Sequence, residues 1–123
     1  MTSKVLIIED DPHLLPVIAD AFRRGGFEAL WAHDGKAGMR IFNVEGPALV
    51  VTDIVMADKE GLATIIELKT HMSPPKVIAI SGGGRIAGSA VLRWAKHLGA
   101  DEVMAKPFQM AALVAAARQL LAQ

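Results

Sequence analysis

The stretch VLIIEDD (residues 5–11) joins a four-residue apolar run directly to three acidic side chains. A short apolar run that stops at polar residues is typical of a strand buried on both faces of a sheet. Four later segments show a comparable strand pattern, and each predicted strand precedes a segment with helical spacing. The predicted strands are residues 5–8, 27–32, 48–51, 77–80 and 103–105.

The predicted helices carry apolar residues three or four positions apart, as Leu14, Ile18 and Phe22 do in the first of them. Glycines at 25 and 26 are suited to end this helix, and Asp34 is suited to cap the second. Five strands that alternate strictly with five helices favour right-handed βαβ units. The sequence therefore predicts an α/β fold with an open, doubly wound parallel sheet, since it is too short for a barrel of eight units.

The composition describes one small domain, which we expect to occupy residues 1–123. Its 13 basic and 13 acidic residues cancel, which argues against a general binder of nucleic acid or of anionic membranes. The chain has no cysteine, which excludes disulfide, thiolate-metal and thiol chemistry. It also has no apolar run near the ~20 residues of a membrane span, so we expect a cytoplasmic location.

Polar side chains follow the predicted strands at the edge where open parallel sheets bind ligands. Carboxylates held close together repel one another, and a divalent cation such as Mg²⁺, which prefers oxygen ligands, relieves that repulsion. A lysine and a hydroxyl can contact phosphoryl oxygens, and a carboxylate can accept a phosphoryl group. The pattern predicts a Mg²⁺-dependent phosphoryl site. Its candidate residues are Glu9, Asp10, Asp53, Ser81 and Lys106.

With these motifs the sequence resembles the receiver domain of two-component response regulators, a CheY-like family. The resemblance rests on four segments that follow the family's order and spacing and span nearly the whole chain. It implies a flavodoxin-like fold with five helices and with strands in the order 2-1-3-4-5. It also implies phosphoryl transfer from a histidine kinase or histidine phosphotransfer protein, a conformational switch, and an output protein of unknown identity. The segments are VLIIEDDPHLL (5–15), VVTDIVMADKEGL (50–62), VIAISGGG (77–84) and GADEVMAKPF (99–108).

The resemblance also implies a role for each candidate residue. Asp53 matches the phosphoacceptor, while Ser81 and Lys106 match the hydroxyl and the ammonium group that contact the phosphoryl group. Domains of this family catalyse only their own phosphorylation and dephosphorylation, so we expect no enzyme that turns over an external substrate. The implied metal ligands are Glu9, Asp10, Asp53 and the backbone carbonyl of Val55.

Three features depart from the family pattern. Ala57 stands where proline is usual, and three glycines (82–84) follow Ser81. Val103 stands where an aromatic side chain usually turns inward as the hydroxyl residue moves. We assign the switch to Ser81 and Val103, with a backbone switch in the glycine segment as a further hypothesis.

Three other functions stay open on the residues alone. A Mg²⁺-dependent aspartyl phosphohydrolase would use the same carboxylates, although Val55 stands where such enzymes usually carry a general acid. A flavin-binding domain would need phosphate-binding hydroxyls in the first loop, which offers acids instead. A degenerate receiver that acts as a scaffold without phosphorylation is favoured only by Val103.

The sequence also predicts the local structure at four positions. Asp11 is predicted to cap the first helix. The bond from Lys106 to Pro107 is predicted to be cis, as the family pattern implies. Trp94 and Met110 lie on apolar stripes and are predicted to pack in the core.

Overall fold

The computed structural model describes residues 2–54, 59–81, 90 and 93–123, with the side chains of residues 59 and 60 left out. Five strands form one sheet in the order β2-β1-β3-β4-β5, and all four pairings are parallel. The predicted fold class and strand order are therefore confirmed. The strands are β1 (Lys4–Ile8), β2 (Glu28–Ala32), β3 (Leu49–Asp53), β4 (Lys76–Ser81) and β5 (Glu102–Ala105).

Helices connect the strands and cover both faces of the sheet, as strands buried on both sides require. One core layer lies between the sheet and helices α1 and α5, where Phe22 and Leu113 are fully buried. The second layer includes Phe42 of α2, Ile65 of α3 and Ala95 of α4. The helices are α1 (Leu14–Arg24), α2 (Gly35–Glu45), α3 (Lys59–Lys69), α4 (described at residues 90 and 93–97) and α5 (Met110–Leu121).

Local signals at the helix ends act as predicted. The Asp34 carboxylate accepts a hydrogen bond from the Ala37 amide at 2.7 Å and so caps α2. The Asp11 carboxylate accepts the His13 amide at 2.8 Å and the Leu14 amide at 3.3 Å, at the start of α1. These bonds satisfy backbone N–H groups that have no partner within a helix.

Strands β3 and β4 extend further than predicted, since Asp53 and Ser81 are their last residues. The reason is that the hydrogen-bonded ladder continues beyond the apolar run. The Ile54 amide donates to the Ile80 carbonyl at 3.0 Å, and the Lys106 amide donates to the Ser81 carbonyl at 2.8 Å. The side chains of Asp53 and Ser81 are therefore held by regular sheet geometry.

One core prediction is wrong. Trp94 is 61% exposed, because the inward face of α4 is occupied by Ala95, which is fully buried. Met110 is partly buried against the α1–α5 layer, as predicted. The Lys106–Pro107 bond is cis, also as predicted. No helix in the described ranges is long and apolar enough to cross a membrane.

Candidate functional site

Three carboxylates meet at the carboxyl edge of the sheet. One oxygen from each of Glu9, Asp10 and Asp53 lies within 4.8 Å of the others. Glu9 and Asp53 are buried, whereas Asp10 is exposed. Glu9 directly follows β1 and Asp53 ends β3, and the parallel pairing of these two neighbouring strands brings their ends together.

Lys106 provides the cation of this cluster. Its Nζ lies 2.7 Å from Asp53 Oδ2 and 3.2 Å from Glu9 Oε1. The lysine follows β5, two strands away from β3 in the sheet, and its side chain reaches across the strand ends while staying 24% exposed. Charge-assisted hydrogen bonds of this kind are stronger than bonds between neutral groups.

Two buried hydroxyls lie at the carboxyl ends of β3 and β4, where Thr52 directly precedes Asp53 and Ser81 is the last residue. Ser81 Oγ and Thr52 Oγ1 are both shielded from solvent, and among the described residues neither has a hydrogen-bond partner. A buried hydroxyl without a partner costs free energy, so native structures seldom leave one unless a ligand or water completes it. Thr52 was not among the site residues predicted from the sequence. The one feature of the sequence that pointed to this residue was a hydroxyl side chain at the end of an apolar run.

The ionisation of Glu9 reflects its surroundings. Burial raises its pKa to about 7, and the nearby Asp53 carboxylate adds to the increase. A hydrogen bond from the Asp11 amide, at 3.1 Å to Glu9 Oε2, and the Lys106 ammonium both act in the opposite direction. Glu9 therefore resists ionisation even with the Lys106 ammonium in place. The cluster holds too little positive charge to keep all of its carboxyl groups ionised.

The Lys106 ammonium is held in its charged form. Burial lowers its pKa, but the hydrogen bonds and charges of Asp53 and Glu9 outweigh burial and raise the pKa above its usual value. Lys106 is thus a permanent positive charge at neutral pH.

The donor set fits a hard divalent cation. Carboxylate oxygens are the ligands that Mg²⁺ prefers, and a second positive charge would allow Glu9 to ionise fully. Two of the three carboxylates are buried at the strand ends, and exposed Asp10 leaves the cluster open to water. The residues present therefore suit the cation that the sequence predicts.

Several predicted positions are not part of this geometry. Val55, Ala57 and the glycines at 82–84 lie outside the described residues, so the predicted carbonyl ligand and backbone switch are untested. Val103 is partly buried and packs against the core layer of α2 and α3. It pairs with Ala79 of β4, two residues before Ser81.

Comparison with known proteins gives a consistent picture. A family model described as the response regulator receiver domain matches residues 5–118. The chain is 31% identical to the transcriptional regulatory protein CpxR of Klebsiella pneumoniae, over 97% of this chain and 49% of that protein. It is also 31% identical to the sensory transduction protein RegX3 of Mycobacterium bovis, over 98% and 51% respectively. The chain thus spans about half the length of these curated relatives.

Solved structures share the fold. NtrX from Brucella abortus, crystallised with ADP, matches with a TM-score of 0.86 and 28% identity, over 98% of this chain and 26% of that one. A response regulator from Thermotoga maritima matches with a TM-score of 0.87 and 19% identity, over the full length of both chains.

Proposed function

The chain belongs to the response regulator receiver domain family, and from that premise we propose that it accepts a phosphoryl group on Asp53. The observation that carries the proposal is the pairing of a buried Asp53 carboxylate with Lys106 Nζ at 2.7 Å, beside two further carboxylates. The phosphoryl donor we propose is a phosphohistidine on a histidine kinase or a histidine phosphotransfer protein.

The transfer step is a displacement at phosphorus. A carboxylate oxygen of Asp53 forms a bond to phosphorus while the bond from phosphorus to the donor imidazole breaks. The imidazole takes up a proton and leaves neutral, and Asp53 becomes an acyl phosphate. In this proposal Glu9, Asp10, Asp53 and the Val55 carbonyl would hold Mg²⁺, and the bound ion would supply positive charge near the phosphoryl oxygens.

Lys106 and Ser81 act on the phosphoryl group directly in this proposal. The Lys106 ammonium, which pairs with the Asp53 carboxylate, transfers its hydrogen bond to a phosphoryl oxygen once the aspartate is modified. The buried Ser81 hydroxyl gains an acceptor for its proton at the same moment. The new bond shifts the equilibrium between two conformations, with Ser81 and Val103 as switch positions.

We further propose that residues 1–123 act as the receiver domain, and that a protein or segment of unknown identity responds to the phosphorylated form. The domain catalyses the formation and the hydrolysis of its own acyl phosphate, and it turns over no external metabolite. Cytoplasmic location, as expected from the sequence, belongs to the same proposal.

Acyl-phosphate labelling tests the proposal. The protein is incubated with Mg²⁺ and acetyl phosphate, or with beryllofluoride, and followed by intact-mass spectrometry and NMR. We expect one phosphoryl adduct in the native chain and in Asp20→Asn, and none in Asp53→Asn or with EDTA. Asp20 is a matched control because it pairs with Arg24 on the exposed side of α1.

Other outcomes separate the alternatives. An adduct that persists in Asp53→Asn would contradict the assignment of the acceptor. No adduct and no beryllofluoride response in the native chain would favour a scaffold that works without phosphorylation. Continuous phosphate release from p-nitrophenyl phosphate would favour a phosphohydrolase.

A further inference from the structure

A pocket with a cavity volume of about 260 Å³ lies between α1, the loop before it and the end of β2. Leu15 and Ala19, both buried residues of α1, contribute apolar lining, and Pro12 and Pro16 stand beside them. Trp31 of β2 also lines the pocket. Its side chain is 49% exposed, even though β2 packs against α1. A large aromatic side chain left half open beside an apolar floor is typical of a binding surface.

The polar part of the pocket is basic. The Arg23 guanidinium carbon lies 5.3 Å from the centre of the Trp31 ring, within the range of a cation–π contact. His33 adds an imidazole that can donate a hydrogen bond. No acidic side chain belongs to the lining of this pocket as described. The pocket therefore combines an apolar floor with donors for a negatively charged group.

We propose that this pocket binds a small apolar anion, namely a single aromatic ring that carries a carboxylate. The ligand ring would lie against Trp31 and remove part of its exposed surface from water, with the buried Leu15 and Ala19 side chains forming the floor behind it. The carboxylate would pair with the Arg23 guanidinium, whose planar donors match carboxylate geometry. The volume is slightly below the ~300 Å³ at which sites for drug-sized ligands begin, so a one-ring ligand suits it.

This proposal does not depend on phosphorylation of Asp53. The pocket lining contains none of the three clustered carboxylates, nor Ser81 or Lys106. A failed phosphorylation assay would leave the binding prediction intact, and a failed binding assay would leave the phosphoryl site intact.

The chain's own fluorescence provides the assay. It has two tryptophans and no tyrosine, so Trp94→Phe leaves Trp31 as the reporting fluorophore. Trp94 is exposed on α4 and is not part of the pocket lining. This variant is titrated with phenylacetate and with phenylacetamide, a neutral analogue of the same size. We expect a saturable change with phenylacetate and at least about tenfold weaker binding of the amide, because a charged hydrogen bond is lost.

A pair of arginine variants locates the site. Arg23→Met keeps most of the apolar stem but removes the guanidinium, and we expect it to weaken phenylacetate binding about tenfold while leaving the amide unchanged. Arg24→Met is the matched control, since Arg24 Nε pairs with Asp20 Oδ2 at 2.9 Å and the residue lies outside this pocket. We expect this control to bind phenylacetate like the native chain.

Three results would overturn the proposal. They are the absence of a saturable change with phenylacetate, equal binding of acid and amide, and equal weakening by the two arginine variants. The indole N–H signal of Trp31 in NMR spectra checks the same titrations without fluorescence. Wild-type chemical shifts elsewhere in Arg23→Met would show that the variant is folded.

Discussion

Each end of the parallel sheet holds a lysine against an aspartate, but the two ends differ in how fully their polar groups are paired. At the amino end, Lys69 Nζ lies 2.9 Å from Asp101 Oδ2 and donates to the Pro75 carbonyl at 3.0 Å. The same Asp101 oxygen accepts the Val77 amide at 2.8 Å. At this end each of the two charged groups has two partners. These contacts join the end of α3 to the start of β4 and to the residue before β5.

The carboxyl end is paired less completely. One ammonium, that of Lys106, serves both Asp53 and Glu9, and the hydroxyls of Ser81 and Thr52 have no partner in the described part of the chain. Such a cluster costs free energy that the amino end does not. The amino end thus holds one acid and one base, whereas the carboxyl end holds three carboxylates near one lysine, an arrangement that a divalent cation would neutralise.

Loss of the lysine should have the largest effect at the carboxyl end. Lys106→Met removes the ammonium group that pairs with the buried Glu9 and Asp53 carboxylates, and removing one partner of a buried ion pair costs about 3–5 kcal/mol. Urea unfolding at pH 8 with EDTA measures the free energy, and added Mg²⁺ should restore part of the loss. Lys69→Met is the matched control. An equal loss in that variant, with no magnesium effect in either, would contradict the comparison.

The raised pKa of the Glu9 carboxyl group predicts that the stability of the fold depends on pH. Its pKa is about 7 in the folded chain against 4.5 for an ordinary glutamate, so the folded state retains a proton that the unfolded state releases. Stability without metal should therefore fall as pH rises from about 4.5 to about 7, by at most about 3 kcal/mol, and then level off. Glu9→Gln should remove this slope in chemical unfolding measured across the same range. An unchanged slope would assign the effect to another group.

Loss of the aspartate at the amino end should cost less. Asp101→Ala deprives the Val77 amide and Lys69 of an acceptor, which predicts a loss of about 2 kcal/mol in urea unfolding. The loss should be the same with and without Mg²⁺, because this site lies at the opposite end of the sheet. Asp20→Ala, which breaks an exposed pair within one helix, should change stability by less than about 0.5 kcal/mol. A magnesium-dependent loss in Asp101→Ala would show that the two ends are coupled.

The hydroxyls should give the smallest effects. Thr52→Val replaces an unpartnered buried hydroxyl with a methyl group and should leave stability unchanged or raise it by up to about 1 kcal/mol. Ser81→Ala should change stability as little as Thr52→Val does. It should, however, slow the labelling of Asp53 by acyl phosphate, whereas Thr52→Val should leave the labelling rate unchanged. Thermal unfolding and labelling rates measure the two properties. A clear destabilisation by Thr52→Val would mean that ordered water satisfies its hydroxyl.

Much of the fold and the approximate position of the cluster could be predicted from sequence. The apolar runs end at acids, and parallel strands place their ends side by side, so Glu9 and Asp53 were predicted to meet. Trp94 was mispredicted because helical spacing marks a stripe but does not say which edge of that stripe faces the core. The bonding state of Thr52 depends on neighbours from other strands, which no local pattern contains.

The amino-end pair was invisible to sequence reasoning for a similar reason. Lys69 and Asp101 are 32 residues apart, and each resembles an ordinary surface charge in its own segment. The pocket at Trp31 is formed by α1 and β2 together, so its basic lining follows from packing rather than from spacing.

The placement of Lys106 also has a consequence for biosynthesis. Glu9 emerges from the ribosome early, whereas the lysine that neutralises it follows 97 positions later and is placed by the last strand. A growing chain therefore carries uncompensated acids until β5 has joined the sheet. If Asp53 is the acceptor, we expect a partly synthesised chain that lacks β5 and Lys106 to take up a phosphoryl group more slowly than the complete domain.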